Sequence, residues 1–95
     1  MLFLIVTTTN ARRDIQQAID WENQRSPTLG TRFLEQLQLK LNVLSITPNI
    51  GSIRYENVRC TTTDVFEYMI HYIVDSKLNQ VIITRVLHGK RKPVW

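Results

Sequence analysis

The apolar positions of this chain change their spacing along its length, which predicts a strand, then two helices, then further strands. Residues 2–6 are all apolar and are followed by three threonines, a pattern typical of a short buried strand. Apolar residues then recur at helical spacing, which predicts a first helix over residues 10–24, capped by Thr9 or Asn10. Ala11, Ile15, Ala18, Ile19 and Glu22 share one face at this spacing, and we expect the carboxylates of Asp14 and Asp20, on the polar side, and of Glu22, at the polar end, to be solvated.

A second helix is predicted over residues 27–46, with Ser26 as its cap and Pro27 at its first helical position. Its apolar side chains form two stripes. The first stripe, expected to pack on a sheet, contains Leu29, Phe33, Leu37, Leu41 and Leu44. The second stripe, on the opposite side, contains Leu39, Val43 and Ile46. Because a helix that is apolar on two sides must be covered twice, the second stripe is expected to contact either the first helix or a partner protein.

The C-terminal half of the chain is rich in β-branched and aromatic residues. Short strands are expected at residues 53–55 and 58–61, and longer ones at 65–74 and 81–87, joined by a hairpin loop at 75–80. The order β-α-α-β-β-β predicts an α+β fold in which a helical hairpin packs on one face of an antiparallel sheet. The first strand must join strands from the C-terminal half. Residues 1–95 are expected to form one domain.

The net charge is concentrated at the C-terminal end. The chain has 12 basic and 8 acidic residues, a formal charge of +4, and four of the basic residues lie in the last eleven positions without a carboxylate. These four are Arg85, Lys90, Arg91 and Lys92. Such a cationic end is suited to nucleic acid or an acidic partner, or is a solvated tail. A single cysteine, Cys60, together with the lack of a signal peptide or membrane-spanning segment, predicts a cytoplasmic protein without membrane contact.

The sequence contains no motif for a metal or a cofactor, and neither is expected. His71 and His88 are not part of a ligand cluster, and there is no Gly-rich phosphate loop. His71 is expected to be a satisfied histidine of the sheet or core. Tyr68 and Tyr72 lie on the alternate face of the same strand, where core packing with the hydroxyl at the rim is favoured over stacking on bases.

Four basic side chains at strand ends or in the tail are candidates for chemistry: Arg59, Arg85, His88 and Arg91. Brought together, they would hold an anion, with arginine clamping a phosphate and histidine exchanging a proton. The alternative for Arg85 is a structural ion pair with a carboxylate such as Asp64 or Glu67.

The pieces described above, in this order, resemble the ParE/RelE superfamily of toxins from type II toxin–antitoxin modules, and more closely its ParE, or plasmid-stabilisation, branch. The similarity extends over most of the chain, and its most specific part is the closing strand and tail. The matching segments are residues 11–15, 18–21, 26–34, 46–51, 58–59, 65–72 and 85–93. The resemblance agrees with the predicted order of elements.

The resemblance implies a toxin that a cognate antitoxin protein neutralises by wrapping a helix and an extended segment around it. ParE-like members act on DNA gyrase without catalytic residues of their own, whereas RelE-like members cut mRNA on the ribosome. In the gyrase interpretation the target-binding residues would be Arg85, His88, Lys90, Arg91 and Lys92. The antitoxin-binding residues would be Leu39, Val43 and Ile46. In the ribonuclease alternative Arg59, Arg85 and His88 occupy the catalytic places, but no tyrosine follows the last strand, which favours gyrase.

Overall fold

The computed structural model describes residues 2–89, in which two helices pack on one face of a five-stranded sheet. The elements are β1 (Leu4–Thr7), α1 (Thr9–Arg25), α2 (Leu29–Ile46), a 3₁₀ turn (Pro48–Ile50), β2 (Ser52–Tyr55), β3 (Val58–Thr62), β4 (Tyr68–Asp75) and β5 (Gln80–His88). The predicted α+β fold with a helical hairpin on a sheet is confirmed. The two short predicted segments are separate strands, so the sheet has one strand more than the predicted order.

The strand order in the sheet is β1-β5-β4-β3-β2, which places β1 beside a strand from the C-terminal half, as expected. The pairs among β2, β3, β4 and β5 are antiparallel, as predicted, but β1 runs parallel to β5. The end of α2 lies beside the start of β1, where the Phe3 N–H donates to the Ser45 carbonyl at 2.8 Å. Since β5 runs parallel to β1 and three antiparallel pairs connect β5 to β2, β2 runs opposite to β1. The sheet is therefore mixed.

Helix α1 begins one residue earlier than the sequence indicated. Its cap is Thr8, whose Oγ1 accepts a hydrogen bond of 3.1 Å from the backbone N–H of Ala11. Thr9 and Asn10, the predicted caps, lie within the first turn instead. The side-chain oxygen of a cap residue satisfies one of the free N–H groups at the helix start. Thr8, Thr9 and Asn10 each have a side-chain oxygen of the required kind.

The connection between the helices differs from the prediction, because Ser26 ends α1 rather than capping α2. The Ser26 N–H donates to the Glu22 carbonyl at 3.1 Å, and α2 begins only at Leu29. The free N–H of Gly30 donates to Asn23 Oδ1 at 2.8 Å, so a side chain from the end of α1 satisfies the start of α2. A Cβ at residue 30 would lie 2.6 Å from the Asn23 side chain, and this close approach explains the glycine.

The hydrophobic core lies between the helices and the sheet. The first predicted stripe of α2 is confirmed, since Phe33, Leu37, Leu41 and Leu44 are buried and only Leu29 is half-buried. The sheet contributes Tyr68, Ile70, Tyr72, Val81, Ile83 and Val86, which are at most 2% exposed. Both tyrosines are core residues, as expected. Their hydroxyls bond inside the protein rather than at its rim, Tyr68 to Glu22 Oε2 at 2.9 Å and Tyr72 to the Pro48 carbonyl at 2.7 Å.

Replacing Leu37 with alanine should lower the free energy of unfolding by about 2–5 kcal/mol, because the side chain is 2% exposed and its removal leaves a cavity. Urea denaturation measures this loss. Leu39→Ala is the matched control on the same helix and should change the midpoint little, since Leu39 is 58% exposed. Equal midpoints for the two variants would contradict the packing described above.

Candidate functional site

The ion pair between Asp14 of α1 and Arg85 of β5 is the centre of the candidate site. Arg85 Nε lies 2.7 Å from Asp14 Oδ2 and Nη2 lies 3.1 Å from Oδ1, and the backbone N–H of Val86 donates to Oδ2 at 3.0 Å. The hydrogen bond to Asp14 raises the pKa of Arg85. The sequence analysis left two alternatives for Arg85, a role in binding an anion and a structural ion pair. The structure shows an ion pair, but the carboxylate belongs to Asp14 and not to Asp64 or Glu67.

The prediction that Asp14 lies on a solvated polar side of the helix is wrong, because Asp14 is buried and only 8% exposed. Asp14 follows Ala11 by three positions and precedes Ala18 by four, so it belongs to the buried face by helical spacing. That spacing was the signal available in the sequence. Glu22, four residues beyond Ala18, shares this face and is 1% exposed, so the prediction of a solvated carboxylate is wrong for Glu22 as well.

A β-bulge determines the direction in which Arg85 points. Tyr72 of β4 pairs with Ile83 and His71 pairs with Arg85, so Thr84 is an extra residue in β5. As a result Ile83 and Val86 are both buried against the helices, and Arg85 lies on the opposite side of the sheet. Pairing with β1 ends at Ile83, so the Arg85 side chain can pass over the edge of β5 to reach Asp14.

Arg85 belongs to a row of side chains across four strands on the face of the sheet that the helices leave uncovered. His71 pairs with both Cys60 and Arg85, which places the three side chains in line. Tyr55 Oη lies 3.1 Å from His71 Nδ1, and Cys60 Sγ lies 3.5 Å from the same atom. Tyr55, His71, Arg85 and Leu87 line a shallow depression of about 290 Å³.

The electrostatics of this row keep its histidine and cysteine uncharged. Burial lowers the pKa of His71, the cations Arg85 and Arg54 lower it further, and Asp14 opposes them. Burial raises the pKa of the Cys60 thiol, so this cysteine is not an activated nucleophile. A neutral imidazole and a phenol beside a guanidinium can bind a carboxylate or a phosphate. The sequence analysis assigned His71 only a structural place, because register across strands is not visible along the chain.

The three residues proposed as a catalytic cluster are not brought together. Arg59 Nη1 donates to the Gly51 carbonyl at 2.7 Å and so supports the 3₁₀ turn. His88 lies on the helix side of the sheet, where its ring meets the Tyr68 ring edge-on at 5.0 Å. Arg85 is on the other face. Lys90, Arg91 and Lys92, also proposed for target binding, lie outside the described residues.

The second apolar stripe of α2 is a separate candidate surface. Leu39, Val43 and Ile46 are 58%, 42% and 66% exposed, so α1 does not cover them and that alternative is wrong. Within residues 2–89 no three histidine, cysteine, aspartate or glutamate side chains converge as metal ligands would. No helix in the same range has the length and apolar character required to cross a membrane.

One protein-family model matches the sequence, and several solved structures share the fold. The sequence model described as "ParE toxin of type II toxin-antitoxin system, parDE" matches residues 5–93. No curated protein sequence matches the chain. Solved structures that share its fold include the "Chromosomal ParDE TA system from P. aeruginosa" and the "intact E. coli RelBE toxin-antitoxin complex".

The structural similarity extends over nearly the whole of each protein. The P. aeruginosa ParDE chain has a TM-score of 0.78 at 15% identity, with coverage of 92% of this chain and 96% of that one. The E. coli RelBE chain has a TM-score of 0.72 at 18% identity, covering 94% and 99%. A chain of the Mycobacterium tuberculosis RelBE2 complex has a TM-score of 0.65 at 24% identity, covering 93% and 99%. At these identities the likeness concerns the fold.

Replacing Asp14 with asparagine should lower the free energy of unfolding by about 3 kcal/mol, because it leaves the Arg85 guanidinium beside an amide instead of a carboxylate. Thermal or urea unfolding measures the loss. Asp20→Asn on the same helix removes the same charge from an exposed side chain and should stay within about 0.5 kcal/mol of the unsubstituted protein. Indistinguishable variants would show that the Asp14 ion pair contributes nothing to stability.

Proposed function

We propose that this chain, which belongs to the ParE toxin family of type II toxin–antitoxin systems, inhibits DNA gyrase and is neutralised by a cognate antitoxin. The observation that carries the proposal is the match of residues 5–93 to the ParE family. The fold agrees with it, but RelE toxins share that fold, so the choice of target depends on the site.

The arrangement of the site favours binding of a target over cleavage of RNA by Arg59, Arg85 and His88. Arg59 is engaged by the backbone of the 3₁₀ turn, and Arg85 and His88 lie on opposite faces. A general acid–base reaction needs its groups within hydrogen-bond reach of one substrate. These three side chains do not meet that condition, whereas a gyrase inhibitor needs only a surface of fitting shape and charge.

The proposed target-binding surface is the cationic end of the chain. β5 carries Arg85 and His88 and continues into the segment with Lys90, Arg91 and Lys92. Asp14 fixes Arg85 by two hydrogen bonds, so this cation loses little further side-chain entropy on binding. The basic end fits an acidic protein surface or the DNA that gyrase holds.

The proposed antitoxin-binding surface is the second stripe of α2. Leu39, Val43 and Ile46 are spaced by four and three residues, which aligns them on two turns of one helix face. Exposed apolar side chains in such a row are suited to a partner helix or an extended apolar segment. Residues 42–52, which include Val43 and Ile46, contain no charged side chain.

One observation favours a second function, ribosome-dependent cleavage of mRNA. His71, Tyr55 and Arg85 stand together on the uncovered face, although they are not the residues first considered for catalysis. A neutral imidazole can accept a proton, a phenol can donate one, and a guanidinium can stabilise the charge on a phosphate. This cluster is the site that the ribonuclease function would use.

Expression of the chain without antitoxin separates the two functions. Gyrase inhibition should induce the SOS response and filamentation while cellular mRNA stays intact. His88→Gln combined with Arg91→Ala should relieve growth inhibition at matched expression, since both changes alter the cationic end. Rapid arrest of translation with cleaved mRNA, abolished by His71→Gln, would overturn the gyrase proposal in favour of the ribonuclease.

Replacing Leu39 with aspartate should weaken binding of the antitoxin about 30-fold, the loss of roughly 2 kcal/mol typical of a central interface residue. Gln38→Asp adds the same charge one residue away and serves as the control, because Gln38 points to a different side of α2. Titration calorimetry with the protein encoded by the adjacent reading frame gives both affinities. Equal affinities for the two variants would remove the second stripe from the interface.

A further inference from the structure

The outer side of the first two turns of α1 is a polar and cationic surface, here called the α1 outer face. Its residues recur at helical spacing, so they share one side of the helix. They are Thr9, Arg12, Arg13, Gln16 and Gln17, all of them exposed. The opposite side of the same turns, with Ala11 and Asp14, is buried. The α1 outer face is therefore directed away from the core.

The face is cationic because the carboxylates of α1 lie elsewhere. Two of the three, Asp14 and Glu22, are buried at 8% and 1% exposure. The third, Asp20, is exposed but lies one turn beyond Gln16, whose Nε2 donates a hydrogen bond to it at 3.0 Å. The α1 outer face itself therefore carries two arginines and no carboxylate.

The two arginines are placed against the electrostatic preference of the helix. The N-terminal end of a helix carries a partial positive charge, which favours carboxylates and disfavours cations. The first turn of α1 has no acidic residue, and neither Arg12 nor Arg13 forms an ion pair among residues 2–89. The Arg12 guanidinium donates to uncharged groups, the Thr7 carbonyl at 3.3 Å and Thr9 Oγ1 at 3.5 Å. An anionic partner would match two charges that the described part of the fold leaves unmatched.

We propose that the α1 outer face binds duplex DNA, with Arg12 and Arg13 on the phosphates and the Gln17 amide at the base edges of the major groove. Residues 9–17 span about 12 Å along the helix axis, and the major groove, about 12 Å wide, admits an α-helix. Arginine binds phosphates and glutamine reads base edges. The proposal goes beyond the proposed function, since this contact requires neither gyrase nor an antitoxin.

The composition of the face selects DNA over other partners. The centre of a protein interface is enriched in aromatic residues and methionine, and none of the five residues of the face is apolar. Duplex RNA has a deep, narrow major groove that side chains cannot read. A second copy of this chain would place Arg12 and Arg13 opposite like charges.

The test measures binding of the purified chain, without gyrase, to a fluorescent duplex of roughly 20 base pairs by anisotropy at several salt concentrations. Arg13→Gln should weaken binding about 10-fold and lower the slope of log affinity against log salt by about one, since one phosphate contact is lost. Arg32→Gln, on the exposed side of α2, removes the same charge and should stay within about twofold of the unsubstituted chain. An RNA duplex of the same sequence should bind more weakly and should not distinguish the two variants.

Replacing both Arg12 and Arg13 with glutamate supplies an independent readout. DNA binding should be lost, while the midpoint of thermal unfolding should rise by about 1–5 °C, because carboxylates match the dipole at the start of α1. A higher midpoint together with the loss of binding excludes unfolding as the cause of that loss.

The contrary outcomes are distinct. Equal weakening by Arg13→Gln and Arg32→Gln, or weakening by Arg91→Ala alone, would overturn the proposal and assign DNA binding to the general charge or to the cationic end. Equal effects of Arg13→Gln on the DNA and RNA duplexes would overturn the contact with the major groove. A chain that binds no duplex DNA would overturn this proposal and leave the inhibition of gyrase, which the SOS response tests separately, unaffected.

Discussion

The carboxylate of Asp14 is the group on which the arrangement of α1 and β5 depends. β1 pairs with β5 only as far as Ile83, so beyond that point the β5 backbone has a neighbouring strand on its β4 side but none of the described strands on its β1 side. Asp14 takes the place of the missing strand by accepting the Val86 N–H, and its other contacts hold Arg85. Desolvating a carboxylate is costly, but a two-point guanidinium contact and a backbone N–H offset that cost. The fixed position of Val86 in turn stabilises the bulge at Thr84.

A second buried carboxylate connects the other end of α1 to the sheet. Glu22 Oε2 accepts the Tyr68 hydroxyl at 2.9 Å, and Oε1 lies 3.1 Å from Arg25 Nη1. The contact face of α1 also carries two buried alanines, Ala11 before Asp14 and Ala18 between the two carboxylates, which allow close approach but bury little area. Hydrogen bonds to charged groups are directional, whereas small apolar contacts tolerate sliding. The two carboxylates therefore set the register of α1 on the sheet, while the larger side chains of α2 supply most of the apolar burial.

The features that the sequence predicted are those that a local pattern determines. The stripe from Phe33 to Leu44 predicted the buried side of α2, and β-branched residues located β4 and β5, because burial alternates with the period of each element. The parallel β1, the bulge at Thr84 and the partner of Arg85 depend on residues far apart in the chain. Asp14 and Arg85 are separated by 71 positions, and no spacing rule relates them. The cap at Thr8 and the turn at Ser26 were displaced because adjacent residues could serve equally well.

The bulge determines which side chains of β5 face the helices and which face away from them. Without the extra residue, strict alternation from Ile83 would turn Arg85 toward the helices and Val86 toward the opposite face of the sheet. The bulge keeps the core apolar and leaves Arg85 on the face that the helices do not cover, within reach of Asp14. The same strand then leads to Gly89, whose N–H donates to the Glu67 carbonyl at 2.9 Å and fixes the point where the cationic end begins.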